Sequence, residues 1–573
     1  MEHKNENRTC QNCKKEFIVD SEDFNFYEKI KVPPPTFCPE CRRIRRAIWR
    51  NLRSLFKREC GLCKKTLISA YSDETPVYCT NCFFSDKWDP IIYGQAYDFS
   101  KPFFEQFKKV IKAVPRHFSY AFGNLVNSDF ANYSVDNRNV YLSYSVVGCE
   151  DVMYSEIIDK SRNCFDSYSV DKIENSSYNI DCENNYNTHH AIQSKNCIDS
   201  HFIYDCANCQ NCCLSYNLRN KQYYFKNQKL SKNQYEQKVK DLRLETYSGF
   251  QNTKNELDSL IEKRVIHKYA YAYNCINSNG DYIHNVRNTK LSFDTKDAEN
   301  VAYGIRQFKC KDCYDCQGSS INSELIYESN AASDNSYKDY FCYITILGCR
   351  ECEYCLLLRN CLNCFWCVGL INAKFCIFNK QYSEKEYFIM VEKIKKHMNN
   401  MPYVDKKGRV YKYGEFYPYE MSPFGYNETT ASDYCPLTKE EALKKGYPWK
   451  EREKRDYHIT KKIDDLADSI LDVDESILKE VIACPNEGNQ MFQCTTAFKI
   501  VPNELQFYKQ YNLPLPRYCP NCRHYQRLKY RNSMRLYTRQ CMHEGCVNIF
   551  ETTYAPDRPE IIYCESCYNK EIY

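Results

Sequence analysis

The chain has no run of about 18 apolar residues, so no helix able to cross a membrane is expected. Its first residues, MEHKNENRTCQNC, hold no apolar stretch of the kind a secretory leader needs, and a cytoplasmic setting is the expectation. Catalytic signatures are missing too: there is no glycine-rich phosphate loop, no HExxH, no GxSxG and no dinucleotide fingerprint. Paired acids such as Asp464/Asp465 read as a solvated helix face, and nothing sets a nucleophile beside a base. These absences point away from an enzyme. Net charge is nearly lacking as well. With 79 Lys and Arg against 74 Asp and Glu the sum is +5, so only the local distribution of charge can select a partner.

What is present in excess is tyrosine, 51 residues, and cysteine, 37 residues, in a chain of 573. A chain of that length implies several domains. In a reducing compartment cysteines serve as metal ligands or small buried apolar residues rather than disulfides, and an odd total argues against a fully paired framework. Sixteen cysteines belong to the two ends. FCPECRRIRRAIWRNLRSLFKREC (Phe37–Cys60) and YCPNCRHYQRLKYRNSMRLYTRQC (Tyr518–Cys541) align without a gap, with 10 of 24 positions identical. Cysteine pairs on tight knuckles supply half of a tetrahedral zinc shell, and a second pair closes it. Taken in sequence order, the pairs predict four structural zinc sites. These are Cys10/Cys13/Cys38/Cys41, Cys60/Cys63/Cys79/Cys82, Cys484/Cys494/Cys519/Cys522 and Cys541/Cys546/Cys564/Cys567. An interleaved pairing is the alternative. A loop must bring Cys484 back to its partner, and His543 could compete as a ligand. Four thiolates leave no open position for water or substrate, so the zinc would be structural. It would supply the stability that a module of about 80 residues struggles to draw from a core.

The same repeated stretch is rich in arginine. Arg42, Arg46 and Arg50 are four apart, as are Arg523, Arg527 and Arg531, and Arg58 matches Arg539. From Arg42 to Lys65 there are ten basic residues against one acid, and from Arg517 to Cys541 seven against none. These rows predict a phosphate-contacting helix face, with Trp49, Phe56, Tyr530 and Tyr537 available to stack on bases. The plainer alternative is a solvated face whose aromatics belong to the core.

The centre repeats at a short period. Asn288, Asn300, Asp312, Glu324, Ser336, Gly348, Asn360 and Asn372 stand twelve apart, and an earlier block does the same with slips at Asn139, Asp151, Asn163, Asn175, Asn196, Asn208 and Asn220. Asn or Asp at one fixed place, among β-branched, aromatic and small residues, predicts a duplicated β-solenoid with a repeat of about 12 residues. A coil of two twelve-residue halves is favoured, with a single-turn coil as the alternative. Ser231 and Ser383 read as N-caps of helices that close each block. Cys349, Cys352, Cys355 and Cys361, Cys364, Cys367 recur at equivalent places, with Cys313, Cys316 and Cys376 beside them. Cys164, Cys197, Cys209 and Cys212 keep part of the pattern in the first block. An interior ladder is the preferred reading of these over a further metal site. His189 and His190 read as surface residues.

The expected fold is thus multidomain. It has zinc-ribbon or treble-clef modules at both ends and a central duplicated β-solenoid with capping α-helices. Residues 1–95 form the first bi-zinc module and 96–126 a helical connector. Solenoid blocks occupy 127–230 and 269–382, with a helical insert at 231–268 and a capping helix at 383–401. An irregular connector (402–450), a helical linker (451–483) and the second bi-zinc module (484–573) follow.

CQNCKKEFIVDSEDFNFYEKIKVPPPTFCPECRRIRR resembles a small bacterial zinc-ribbon or treble-clef-like domain through Cys10, Cys13, Phe17, Phe26, Tyr27, Cys38, Pro39, Cys41 and Arg42, with its usual Glu displaced to Glu22. MSPFGYNETTASDYCPLTKEEALKKGYPW and TYAPDRPEIIYCESCYNKEIY extend the resemblance over most of the chain, to an uncharacterised multi-zinc-ribbon family of candidate-phylum bacteria. That resemblance implies zinc binding and an intracellular setting, and no reaction. The expected protein is a non-enzymatic binder of nucleic acid, RNA or a ribonucleoprotein before specific DNA. It would carry two bi-zinc basic heads on a rigid spacer, about four zinc ions and no membrane contact. A protein-interaction scaffold using the tyrosine-rich solenoid wall is the alternative.

Overall fold

Asparagine and aspartate tolerate left-handed backbone better than other residues with a Cβ, and in the centre of this chain they fill such places at regular intervals. In the computed structural model, which describes residues 4–72, 75–305, 310–318, 321–451 and 457–573, Asn175, Tyr178, Asp181, Asn184 and Asn187 all have φ between 50° and 54°. Each twelve-residue step therefore turns at left-handed residues three apart. Their amides stack: Asn184 donates to Asn196 at 3.2 Å, Asn196 to Asn208 at 2.9 Å and Asn208 to Asn220 at 3.1 Å. Asn196→Ala is expected to cost about 1–2 kcal/mol, because alanine tolerates left-handed backbone less well than asparagine and leaves both amide contacts unmade. Asn196→Gly, which loses the contacts but not the backbone freedom, should cost less. Urea midpoints of the two variants check this.

Nine short parallel strands carry the first block: β1 (Ser134–Tyr141), β2 (Ser143–Val147), β3 (Glu150–Met153), β4 (Glu156–Asp159), β5 (Arg162–Phe165), β6 (Tyr168–Asp171), β7 (Glu174–Ser177), β8 (Ile180–Glu183) and β9 (Tyr186–Ile192). They pair in the order β1-β2-β4-β6-β8-β9-β7-β5-β3 and back to β1. The β-solenoid expectation is corrected here: the hydrogen bonding closes into a nine-stranded parallel barrel with further strands attached. Closure follows from the two long strands. Tyr141 and Val135 of β1 pair with Met153 of β3 and Val147 of β2, and β9 pairs with both β7 and β8. The favoured coil of two halves also fails, because partners such as Arg162 and Glu174 lie 12 residues apart, not 24.

The barrel interior is narrow and takes small side chains, among them Val152, Cys164, Cys182 and Ala191. Serines run through it too. Ser155 Oγ donates to the Met153 carbonyl at 2.9 Å and accepts from the Ser167 amide at 3.0 Å. Burial of these hydroxyls is tolerable only because both functions are met.

The second block is also parallel, and it does not keep an unbroken step of twelve. His284 pairs with Lys296, but Lys311 pairs with Glu324, Glu324 with Tyr337 and Tyr337 with Arg350, each 13 residues on, before twelve returns at Arg350 and Leu362. Residues 306–309 of this repeat and 452–456 of the linker lie outside the described residues. Ser231 and Ser383 cap helices Lys232–Asp241 and Glu384–Asn400, each with a complete capping box. From 459 to 482 the expected helices are absent among the described residues. Three short 3-10 turns stand there instead, at Ile463–Asp465, Ile470–Asp472 and Glu475–Lys479.

The ends are not separate heads on a spacer. Trp49 of the N-terminal module packs into one aromatic core with Phe103, Trp366 and Tyr417, joining it to the second block and the 402–450 connector. Cys519, Phe507 and Leu515 of the C-terminal module share another core with Phe165, Phe202 and Leu257 of the first block and its helical insert. The modules also touch each other, since Arg43 donates to the Met534 carbonyl at 2.7 Å and Arg53 to Asn521 at 3.2 Å. Burying aromatic surface on the strands outweighs exposure of two independent heads.

Candidate metal centres

Each metal module begins with a hairpin whose tight turn carries the first cysteines. Glu6–Thr9 pairs with Glu16–Val19, and Phe56–Glu59 with Thr66–Ser69. In both, a lysine (Lys14, Lys64) takes the left-handed place and its amide bonds the carbonyl of the first cysteine. The third cysteine is a helix N-cap in all four sites: Cys38, Cys79, Cys519 and Cys564 precede helices Pro39–Ala47, Thr80–Phe83, Pro520–Leu528 and Glu565–Ile572. Its amide donates to the first thiol, at 3.3 Å for Cys10 and Cys60, 3.4 Å for Cys484 and 3.2 Å for Cys541. Amide donors and helix starts both favour thiolate. Burial pushes the Cys60 thiol up, and the amides of Cys63, Cys79 and Leu62 more than offset it, holding it down to about 6.

Four tetracysteine clusters result, with the sulfurs of each within 4.8 Å of one another. The sets are Cys10/Cys13/Cys38/Cys41, Cys60/Cys63/Cys79/Cys82, Cys484/Cys494/Cys519/Cys522 and Cys541/Cys546/Cys564/Cys567. They follow sequence order; the interleaved alternative does not form. Sulfur separations of 3.7 Å (Cys13–Cys38), 3.8 Å (Cys63–Cys79), 3.8 Å (Cys484–Cys522) and 4.0 Å (Cys546–Cys564) match the edge of about 3.8 Å in a tetrahedron with metal–sulfur bonds of about 2.3 Å. All four sites could hold a metal ion of zinc-like geometry. The loop that returns Cys484 to Cys494 contains left-handed Glu487 and Gly488. His543 turns its Nδ1 to the Glu544 carbonyl, 2.9 Å away, and is not part of the fourth set.

The arginine rows do not face outward. Arg42 and Arg46 are each 1% exposed, and Arg45 between them is fully buried. Arg42 pairs with Asp315 at 3.0 Å, Arg45 with Glu328 and Glu415 at 2.9 Å each, and Arg46 with Asp315 and Glu328 at 3.0 and 3.1 Å. Arg50 lies beyond the end of that helix, buried over the Tyr133 ring. The C-terminal copy repeats the scheme: Arg523 and Arg527 share Asp166, Arg523 also meets Glu504, and Arg531 bridges Asp181 and Asp294. Arg58 and Arg539 are half-buried on backbone carbonyls of Tyr71, Thr75 and Ala555. Trp49 is core. The expectation of an outward guanidinium row is thereby corrected: a buried cation needs a compensating group beside it, and carboxylates serve Arg42, Arg46, Arg523, Arg527 and Arg531, while Arg50 rests on an aromatic face.

Sequence reading missed those carboxylates. A signal existed: Asp166, Asp181, Asp294, Asp315 and Glu328 all occupy left-handed bends of the repeat, with φ between 45° and 56°. It also missed Glu156, Asp433 and His524, whose ligand atoms lie within 4.8 Å of one another where barrel, connector and C-terminal module meet. That group is internally engaged, Tyr525 donating to Asp433 at 2.8 Å and Arg53 lying 3.9 Å from Glu156. The central cysteines form an interior column. Cys342, Cys349, Cys352, Cys355, Cys361, Cys364, Cys367 and Cys376 pack together, fully or almost fully buried. Their thiols lie within donating reach of carbonyls, as Cys355 does with those of Glu353 and Cys364, each 3.3 Å away. None joins a cluster of metal-binding geometry among the described residues. Cys310 and Cys313, by contrast, are disulfide-bonded. His189 and His190, expected at the surface, are 2% and 3% exposed.

No family model matches the chain, and no curated protein does. Among solved structures, an acetyltransferase candidate from Desulfovibrio desulfuricans G20 shares 10% identity, over 44% of this chain and 68% of its own, with a TM-score of 0.11. That likeness carries no argument about fold or activity. Among the described residues no helix is long and apolar enough to cross a membrane.

Proposed function

We propose that the protein is a non-enzymatic, zinc-dependent interaction scaffold, in which four structural zinc ions set the two end modules against the strands. Four thiolates satisfy zinc fully and offer substrate nothing, and the softness of the donors favours zinc over hard cations. The observation that carries the scaffold reading is the fate of the arginines. Arg42, Arg46, Arg523, Arg527 and Arg531 are engaged with carboxylates of the same chain, so the modules act as clamps and the strand faces are left as the working surface. One such face is regular: Arg138, Glu150, Arg162, Glu174, Tyr186 and Ile198 align in register, one per strand, about 4.8 Å apart. Tyr186 and Ile198 are exposed large side chains at one end of the row. Such a column suits a protein partner more than a phosphate backbone.

Nucleic acid is the second reading. Exposed Lys57, Lys64 and Lys65 beside the second metal site favour it. One experiment separates the two. Affinity capture from cells, with and without nuclease, is repeated with a Tyr186→Ala, Ile198→Asp double variant. A partner retained after nuclease and lost in the variant is the expected result. Capture abolished by nuclease, with RNA affinity falling steeply with salt, would replace the scaffold reading with the nucleic-acid one.

A further inference from the structure

His190 is an unusual core residue. Both ring nitrogens are buried without a hydrogen-bond partner, although its ring is fixed by stacking on Phe202 at 4.9 Å and by the edge of Tyr530 at 5.9 Å. Burial, with Lys254 nearby, pushes its pKa down to about 3, so it is neutral with one donor and one acceptor. An unmet polar group of this kind is costly, and the cost is recovered when a polar partner enters the space beside it.

That space is a cavity of about 690 Å³ between the barrel, the helix Tyr247–Lys263 and the C-terminal module. The volume lies within the usual range for a small-molecule site. Tyr247, Phe250 and Tyr530 give it aromatic walls. Arg517 also lines it. This residue has no ion pair with a carboxylate among the described residues. Its Nη2 donates to the Ala467 carbonyl at 2.8 Å, its guanidinium lies 4.7 Å from the Tyr247 ring centroid, and its Nη1 has no partner. Arg523, Arg527 and Arg558 line the cavity as well, but each is paired with a carboxylate, whereas the contacts of Arg517 are to the Leu466 and Ala467 carbonyls and an aromatic ring.

We propose that this cavity is a binding site for a planar organic anion of the nucleoside monophosphate class. The phosphate would sit on Arg517, whose planar fork suits it. The base would lie against the aromatic walls and meet one ring nitrogen of the neutral His190 imidazole, which donates or accepts according to its tautomer. This site is independent of the scaffold reading, because it involves neither the exposed column nor any metal ligand.

The test uses the full metal-loaded chain titrated with AMP, UMP and adenosine by calorimetry, for wild type, Arg517→Gln and His190→Phe. Saturable binding of AMP or UMP is expected, weakened at least tenfold by either substitution. Adenosine, lacking the phosphate, should bind wild type and Arg517→Gln alike. Metal content and near-ultraviolet tyrosine signal report whether the variants fold. If His190→Phe does not, Arg517→Gln and the adenosine comparison decide alone. No saturable binding of either monophosphate at about 1 mM, or binding that both folded variants leave unchanged, overturns the proposal.

Discussion

Removing the metals is expected to unfold both ends of the chain and to loosen the centre with them. Structural zinc contributes about 10–16 kcal/mol of apparent binding free energy in small modules, comparable to the whole stability of an ordinary domain. Each module is built on its sites: the hairpin turn holds one cysteine pair and the following helix starts at the other. Wild type should release about four ions to a colorimetric chelator. Cys41→Ser should release about three and lose the core around Trp49, since its helix leads directly into that core. Cys355→Ala should still release four, because its thiol lies within reach of two carbonyls and belongs to no metal cluster. A wild-type count near two or below would remove the structural reading of these sites, and with it the scaffold proposal.

The second large effect is expected at Arg46. Its guanidinium lies between Asp315 and Glu328, all three at most 1% exposed. Truncation to Met leaves two buried carboxylates short of a partner, a loss of about 3–5 kcal/mol by analogy with other broken buried pairs. Arg539→Ala removes contacts with the Ala555 carbonyl and the Met542 sulfur from a half-buried side chain and should cost less than about 1 kcal/mol. Guanidinium midpoints at saturating metal measure both. The effect should depend on pH with a definite sign. Burial, opposed by Arg42 and Arg46, leaves Asp315 pushed up to about 6, above the ordinary carboxylate value of about 3.9. The folded state therefore holds this proton more tightly, and the contribution is full below pH 4 and fades as pH rises through 6. Without Arg46 the proton is held more tightly still. Arg46→Met should thus be less destabilising at pH 5 than at pH 8. An equal loss at both would mean that the cluster does not carry the charge balance described.

How much was legible in the residues differs from one element to the next. The cysteine pairs were readable because a knuckle of two cysteines is a local geometry, and because the second copy repeats part of the spacing of the first; that they join in sequence order rather than interleaved was decided by the fold. The left-handed bends were readable at Asn and Asp, whose short polar side chains tolerate that backbone. They were not readable at Tyr178, Phe202 or Trp366, where the same bend is imposed by the neighbouring strands. The closure of nine strands was hidden because β1 and β9 look like ordinary repeats until their length lets each pair with two rows.

The arginine rows show the limit most clearly. Charge spacing establishes that Arg42, Arg45 and Arg46 exist near one another; it cannot say whether water or a carboxylate faces them. That depended on residues some 270 to 370 positions away, at Asp315, Glu328 and Glu415. By itself the amino-acid order determined the paired cysteine knuckles, the two capped helices and the bends at Asn and Asp, because each is decided within a few residues of backbone. Only the tertiary structure decided which way the guanidinium groups point, that the modules lie against each other, and that His190 and Arg517 face one cavity. Burial and long-range pairing are properties of what the folded chain brings together, and no local pattern encodes them.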